Sequence, residues 1–395
     1  MPTKQWIIRF PLGFNLVTNA AISSKVKLGA LLSVTAVALT THASAQQMDP
    51  HAPGTVTEIT GLPLGRIVGS TVTARISYWS TGPDGPMLSS SALFVPAGQP
   101  PRGGWPIVAR AHGTTGIGDD CAPSRTGLDD FVSSQVDQWL ALGFAVVLTD
   151  YVGLGTPGIH PYLDGPSEAS SVLDAVRAAR KVDVNLSNRF AAIGESQGGH
   201  ATLFVANLAA SYAPELDFRG AVAIVPPSNF DQLLPITATL TPPQSHEGLM
   251  RRLGFVLTGL RAARPDLNVN SYMTPLGVQV LDALEIACNG ARMDELTRFS
   301  VNDLIAKPLA GTPLAAALEK TLEIPTSGYH RPIMLAHALG DELIPTTATD
   351  KLISDLRAGG ANVTDKAYPT GHVDSVFASE PDTVNFTRQL FENND

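Results

Sequence analysis

The chain has 395 residues, of which 44% are hydrophobic and 16% charged, and it carries a formal net charge of −9 at pH 7. So much apolar material outweighs the entropy of ordering, which excludes a disordered chain, and an acidic excess without a basic run excludes a binder that neutralises nucleic-acid phosphates. The cysteines Cys121 and Cys288 make no metal pattern, and no His-Glu-x-x-His, Cys-x-x-Cys or Gly-x-x-x-x-Gly-Lys motif is present, so neither a metal nor a cofactor is expected.

Near the start, Lys25 and Lys27 precede the apolar run 28–39, and Ala43-Ser44-Ala45 before Gln46 supplies the small residues of a cleavage site. This is the layout of a secretory signal peptide, so residues 1–45 are expected to be removed and the mature chain to be secreted or periplasmic. The apolar run is too short for a stable membrane span. The leader's four cations, Lys4, Arg9, Lys25 and Lys27, leave with it, which takes the net charge from −9 to −13. In an oxidising compartment Cys121 and Cys288 are expected to form one disulfide.

Further along, two runs rich in β-branched residues, 71–80 and 88–96, flank Thr81-Gly82-Pro83-Asp84-Gly85-Pro86 and are expected to form an antiparallel hairpin. Short apolar runs then alternate with helix-like stretches. Strands are expected at 106–111, 144–149, 190–193 and 221–225, and helices at 128–142, 167–181 and 197–211. Over 228–328 the rhythm gives way to proline-rich, helix-like sequence, with helices expected at 249–260 and 276–287. It resumes with strands at 333–339 and 362–368, a helix at 348–357 and a final helix at 375–391. Such alternation implies an α/β fold, with a mostly parallel central sheet and helices on both faces. The core would run over 46–227 and 329–395, with a helical cap or lid inserted over 228–328.

One motif carries chemistry. Gly194-Glu195-Ser196-Gln197-Gly198 follows an expected strand and opens an expected helix, the setting of a nucleophile elbow. A sharp turn there exposes the serine hydroxyl in a strained backbone conformation, and Gly194 and Gly198 avoid clashes with the neighbouring strand and helix. A serine hydroxyl needs a base, and the base an orienting acid, in the chain order serine, acid, histidine. Among the histidines downstream, His200 is too near Ser196 on the same helix, His246 falls in the insertion and His337 inside a strand. His372, in the loop after the last strand, is the expected base. Asp341, in the loop after the preceding strand, is the expected acid, with Glu342 second and Asp374 third. An oxyanion would take the backbone N–H of Gln197 and that of Thr114, or of Thr115, in the loop His112-Gly113-Thr114. His112 is expected to brace that loop.

With Ala111-His112-Gly113-Thr114-Thr115-Gly116, Asp120-Cys121-Ala122-Pro123-Ser124, Asp150-Tyr151-Val152-Gly153-Leu154-Gly155 and Gly194-Glu195-Ser196-Gln197-Gly198-Gly199, the chain resembles the secretory lipase family, best known from fungi and with bacterial members. The resemblance spans about 70–380. It implies an α/β-hydrolase fold with a cap inserted after the sixth strand, and a substrate that is a lipid or smaller carboxylic ester. The family's triad falls on Ser196, Asp341 and His372. Acyl transfer to another acceptor and peptide hydrolysis are the alternative uses of the same triad. A catalytically dead binding module would need one of the three positions empty, and all are filled.

Overall fold

Burial on both sides makes the central strands continuous apolar runs. In β4 (Trp105–Ala111) Ile107, Ala109 and Ala111 enter the core on one face of the sheet and Val108 the core on the other. In β5 (Ala145–Thr149) Ala145 and Val147 part from Val146 and Leu148 in the same way. Period-two alternation is hidden in such strands because neither face meets water.

The computed structural model describes residues 49–62, 67, 69–229, 247–289 and 299–392. The expected leader and its cleavage site lie outside the described residues, as does His246. Around β4 and β5, the strands β1 (Val56–Gly61), β2 (Ser70–Gly82), β3 (Gly85–Pro96), β6 (Leu186–Glu195), β7 (Asp217–Ile224), β8 (Ile333–Ala338) and β9 (Val363–Tyr368) complete one sheet in the order β1-β2-β3-β5-β4-β6-β7-β8-β9. β1, β2, β3 and β5 pair antiparallel in sequence, and every pairing from β5 through β4 to β9 is parallel.

Helices fill both faces. α1 (Pro123–Thr126) is one turn; α2 (Asp130–Ala141) packs Val136, Trp139 and Leu140 on one face. α3 (Gly165–Val182) and α4 (Gln197–Tyr212) pack Val172, Val176, Leu203 and Phe204 on the other. Side chains start them where the sequence allows: Asp129 accepts from Val132 N and Asp164 from Ser167 N, each satisfying an amide that has no helical acceptor.

Between β7 and β8 the sheet rhythm stops, and α5 (Glu247–Ala263), α6 (Pro275–Leu284), α7 (Val301–Leu304) and α8 (Pro313–Leu322) follow. Thr274-Pro275 and Thr312-Pro313 begin two of them by the same logic: each threonine caps the helix, and each proline sits where its missing N–H costs nothing. These helices bring Phe255, Leu257, Leu281, Leu284, Leu314 and Leu318 into a further core, which also takes in Ile117, Tyr162 and Leu163. The chain returns through α9 (Thr346–Ala358), α10 (Asp374–Ala378) and α11 (Glu380–Glu392). Among the described residues no helix is long and apolar enough to cross a membrane.

Three expectations need correction. β1 has no apolar run to announce it, since five of its six residues are exposed, and it exists only by pairing along β2. The insertion therefore follows β7 and not a sixth strand. The hairpin is tighter than expected, with Gly82 and Gly85 paired across Pro83-Asp84. The final helix breaks at Ser379, because Pro381 has no N–H for an intrahelical bond and its ring would clash with the carbonyl four residues back.

Cys121 and Cys288 are bonded, as expected, closing a loop of 167 residues between the segment after β4 and the end of α6. Replacing both by serine is expected to cost about 2–5 kcal/mol, mostly by freeing the unfolded chain. A urea midpoint by circular dichroism equal to that of the parent protein would contradict this.

Candidate active site

The turn out of β6 is forced by its neighbours. A Cβ at Gly198 would run into the carbonyl of Ala111, and one at Gly194 into the carbonyl of Gly198. Only with both positions bare can strand β4, the end of β6 and the start of α4 approach so closely. Ser196 sits between them at φ 52°, ψ −116°, a conformation that a residue with a side chain rarely adopts. Its N–H donates to Ile224 O at 2.8 Å, which fixes the turn to β7. Its hydroxyl is left at the head of α4, where the first amides have no intrahelical acceptor.

Loops at the C-terminal ends of β8 and β9 bring two further groups to that hydroxyl. His372 Nε2 lies 3.0 Å from Ser196 Oγ, and His372 Nδ1 lies 2.8 Å and 3.0 Å from the two oxygens of Asp341. The Leu343 and Ile344 amides donate to Asp341 Oδ1 at 2.8 Å and 2.7 Å. Burial alone would raise this carboxyl. The hydrogen bond from His372, its charge and the two amides outweigh that effect and hold Asp341 below the usual carboxylate range. Glu342 does not reach the ring; its Oε2 accepts the backbone N–H of His372 at 3.1 Å, so it braces the loop. Asp374 is exposed on the first turn of α10.

The loop after β4 approaches from the other side. Tyr151 OH donates to His112 O at 2.8 Å, and His112 Nδ1 donates to Gly113 O at 2.6 Å. Burial presses the His112 imidazole down to about 4, so the ring is neutral and structural, as expected. Thr114 and Thr115 are tied to the insertion: Asn289 Nδ2 donates to Thr114 O at 3.1 Å and Asn289 N to Thr115 O at 2.7 Å. Thr114 Oγ1 meets Tyr162 OH at 2.8 Å, and the Cys121–Cys288 bond pins the same junction. Asn289 and Tyr162 carried no sequence signal, because their partners are backbone groups or residues distant in the chain.

Beneath the elbow lies a polar cluster that sequence inspection also missed. Glu168, His160 and His200 are fully buried; the first two meet the Gln197 side chain and His200 joins through Glu168. Gln197 Nε2 donates to Glu168 Oε1 at 2.7 Å and to His160 Nε2 at 2.8 Å. His160 Nε2 must therefore be an acceptor, and its Nδ1–H goes to Val152 O at 3.1 Å. His200 Nε2 donates to Leu322 O at 2.8 Å, while its Nδ1 lies 3.3 Å from Glu168 Oε2. His200 thus supports the helix and stays away from the Ser196 hydroxyl. His337 is buried in β8, as expected, although its Nδ1 finds no hydrogen-bond partner among the described residues. Among the described residues no group of three His, Cys, Asp or Glu side chains is placed to hold a metal ion.

A hydroxyl, an imidazole and a carboxylate hydrogen-bonded in series, at the C-terminal edge of a mostly parallel sheet with helices on both faces, define an α/β-hydrolase. Comparison with known proteins takes this a step further. The family model described as "Secretory lipase" matches residues 120–395. The chain belongs to the secretory lipase family. It is 28% identical over 307 residues to Lipase A of Moesziomyces aphidis, covering 69% of this chain and 62% of that one. It thus spans somewhat less than two thirds of that relative's length. It is also 25% identical over 334 residues to a protein of Mycobacterium tuberculosis named "Probable inactive lipase MT1628", covering 79% of this chain and 72% of that one. Among solved structures, Candida antarctica lipase A in its closed state superposes with a TM-score of 0.72 at 22% identity, over 87% of this chain and 83% of that one. The rice cell wall degrading esterase LipA of Xanthomonas oryzae superposes with a TM-score of 0.68 at 20% identity, over 87% and 100%. At such identities the structural likeness speaks for the fold.

Burial holds His160 neutral, down to about 3 against an ordinary 6.5. On acidification the unfolded chain takes up this proton and the folded chain does not, so the residue removes stability as pH falls below 6.5. His160→Gln can still accept from Gln197 and donate to Val152. Its loss of unfolding free energy between about pH 7 and 5 is expected to be about 2 kcal/mol smaller than that of the parent protein. Equal losses in urea titrations at the two pH values would contradict the neutral assignment.

Proposed function

We propose that the chain is an exported serine carboxylic-ester hydrolase, a lipase or esterase, that works through an acyl-enzyme on Ser196. The observation that carries this is the unbroken series Ser196 Oγ, His372 and Asp341 at 3.0 Å and 2.8 Å, built on the strained elbow. Family membership supports the same class of reaction, and the names of its relatives point to lipid esters. Because one relative is named as inactive, occupancy of the three positions matters: here each holds a group able to play its part, in hydrogen-bond contact with the next.

The steps follow from the geometry. His372 Nε2 takes the proton of Ser196 Oγ as the oxygen attacks the ester carbonyl. Asp341, held ionised, accepts from Nδ1–H, which fixes the tautomer that leaves Nε2 free to accept and stabilises the imidazolium that results. The negative charge on the tetrahedral oxygen would be received by the amide of Gln197, at the head of α4, and by that of Thr114, with Thr115 next in line. The imidazolium protonates the leaving alkoxide. A water deprotonated by His372 then attacks the acyl-enzyme, and the acid departs with Ser196 restored. The leader of residues 1–45 would carry the chain out of the cytoplasm, and the Cys121–Cys288 bond suits an oxidising compartment.

The test is hydrolysis of p-nitrophenyl esters, from acetate to palmitate, by the mature protein and by Ser196→Ala. Turnover by the parent and its loss by at least about a thousandfold in a variant with unchanged circular dichroism is the expected result. The chain-length optimum separates esterase from lipase. Equal activity in both proteins would overturn the assignment of Ser196, and inertness of both would overturn the ester-hydrolase reading.

A further inference from the structure

Two amides that are to receive one oxygen must hold a fixed separation, yet here they belong to different segments: Gln197 opens α4, and Thr114 follows β4. The Ser196 turn is held by β7 and by glycine contacts that reach the carbonyls of Ala111 and His112 at the root of the loop, and Gly113 and Thr114 lie beyond them. Glu195, the residue before the nucleophile, does reach that loop. Its Oε1 accepts the N–H of Gly113, the peptide immediately before Thr114, at 3.1 Å. The approach is close: a Cβ at Gly113 would lie 3.4 Å from Glu195 Cγ.

A carboxylate beside a developing oxyanion would be repulsive unless neutralised. Arg110 supplies the counter-charge: its Nη2 donates to the same Glu195 Oε1 at 3.2 Å, with the two side chains only 5% and 16% exposed. Arg110 Nη1 is held in turn by Gln135 Oε1, on α2. The guanidinium is thus anchored to α2, and the carboxylate is fixed between it and the Gly113 amide.

We propose that Glu195 is a positioning residue, which sets the distance between the elbow amide of Gln197 and the loop amide of Thr114 by holding the Gly113 peptide, with Arg110 cancelling its charge. This rests on the ester-hydrolase reading of the site. Since the hydrogen bond needs an acceptor at this reach and not a charge, Glu195→Gln keeps it. Glu195→Asp keeps the charge but withdraws the acceptor by one methylene, and Glu195→Met removes the acceptor at similar volume.

The experiment compares these variants with Ser196→Ala on the preferred p-nitrophenyl ester. An oxyanion donor displaced by a fraction of an ångström should lower kcat by about ten- to a hundredfold in Glu195→Asp and Glu195→Met, with KM within about twofold. Glu195→Gln should stay within about threefold of the parent, because only the charge has changed. An alkyl trifluoromethyl ketone, which adds Ser196 Oγ and places an oxyanion between the two amides, should lose affinity in step with kcat/KM across the series. Should Glu195→Met fail to fold, Glu195→Asp decides alone. The proposal is overturned if Glu195→Asp and Glu195→Met retain full kcat while Ser196→Ala is dead, or if Glu195→Gln loses kcat as they do. If Ser196→Ala keeps its activity, the reading beneath the proposal falls with it.

Discussion

A single crowded crossing organises this protein. The carbonyl of Ala111 at the end of β4, the backbone of Gly194 in β6 and that of Gly198 in α4 meet with no room for a side chain between them. That crossing forces the chain to turn within one residue, and Ser196 takes up the strain at φ 52°. Strain of this kind costs on the order of 1–3 kcal/mol and persists only where the surroundings over-determine it. Here they do so through strands paired on both sides, through Ser196 N–H on Ile224 O, and through a buried polar anchor under the first turn of α4. Everything proposed for the site assumes that the hydroxyl stays where this turn puts it.

The electrostatics follow from which groups are buried with partners and which without. The Asp341 side chain is buried but receives two amides and an imidazole, so its charge is favoured. His112 and His160 are enclosed without an adjacent carboxylate strong enough to offset desolvation, and both stay neutral. Asp150 shows the opposite case for an acid: burial pushes it up to about 6 although Ser90 and Ser124 hydrogen-bond to it. Around the triad, burial thus keeps His112 and His160 neutral, while the charges that stand near the nucleophile are each paired, Asp341 with His372 and Glu195 with Arg110.

Much of this was legible in the sequence, and the reasons differ by element. The parallel strands could be found because double burial writes them as apolar runs, and the elbow because Gly194 and Gly198 bracket a serine at a strand–helix junction. His372 and Asp341 could be placed by register, since each lies in the loop following one of the last strands. β1 was illegible because an exposed edge strand carries no burial pattern, and the break at Ser379 was overlooked although Pro381 announces it. The supports of the site were hidden for another reason. Glu195, Glu168, Asn289 and Tyr162 act through a backbone amide, a carbonyl, a buried side-chain amide and a hydroxyl contributed by segments 29 to 175 residues away. No local spacing encodes such partners.

The central claim is that one serine, made nucleophilic by this geometry, forms the covalent intermediate. It is tested most directly by labelling the mature protein with an alkyl fluorophosphonate and mapping the adduct by peptide mass spectrometry, beside His372→Ala. The account predicts a single adduct on the peptide that holds Ser196, formed far more slowly in the variant that lacks the base. An adduct on another residue, or labelling of Ser196 that is indifferent to His372, would contradict it.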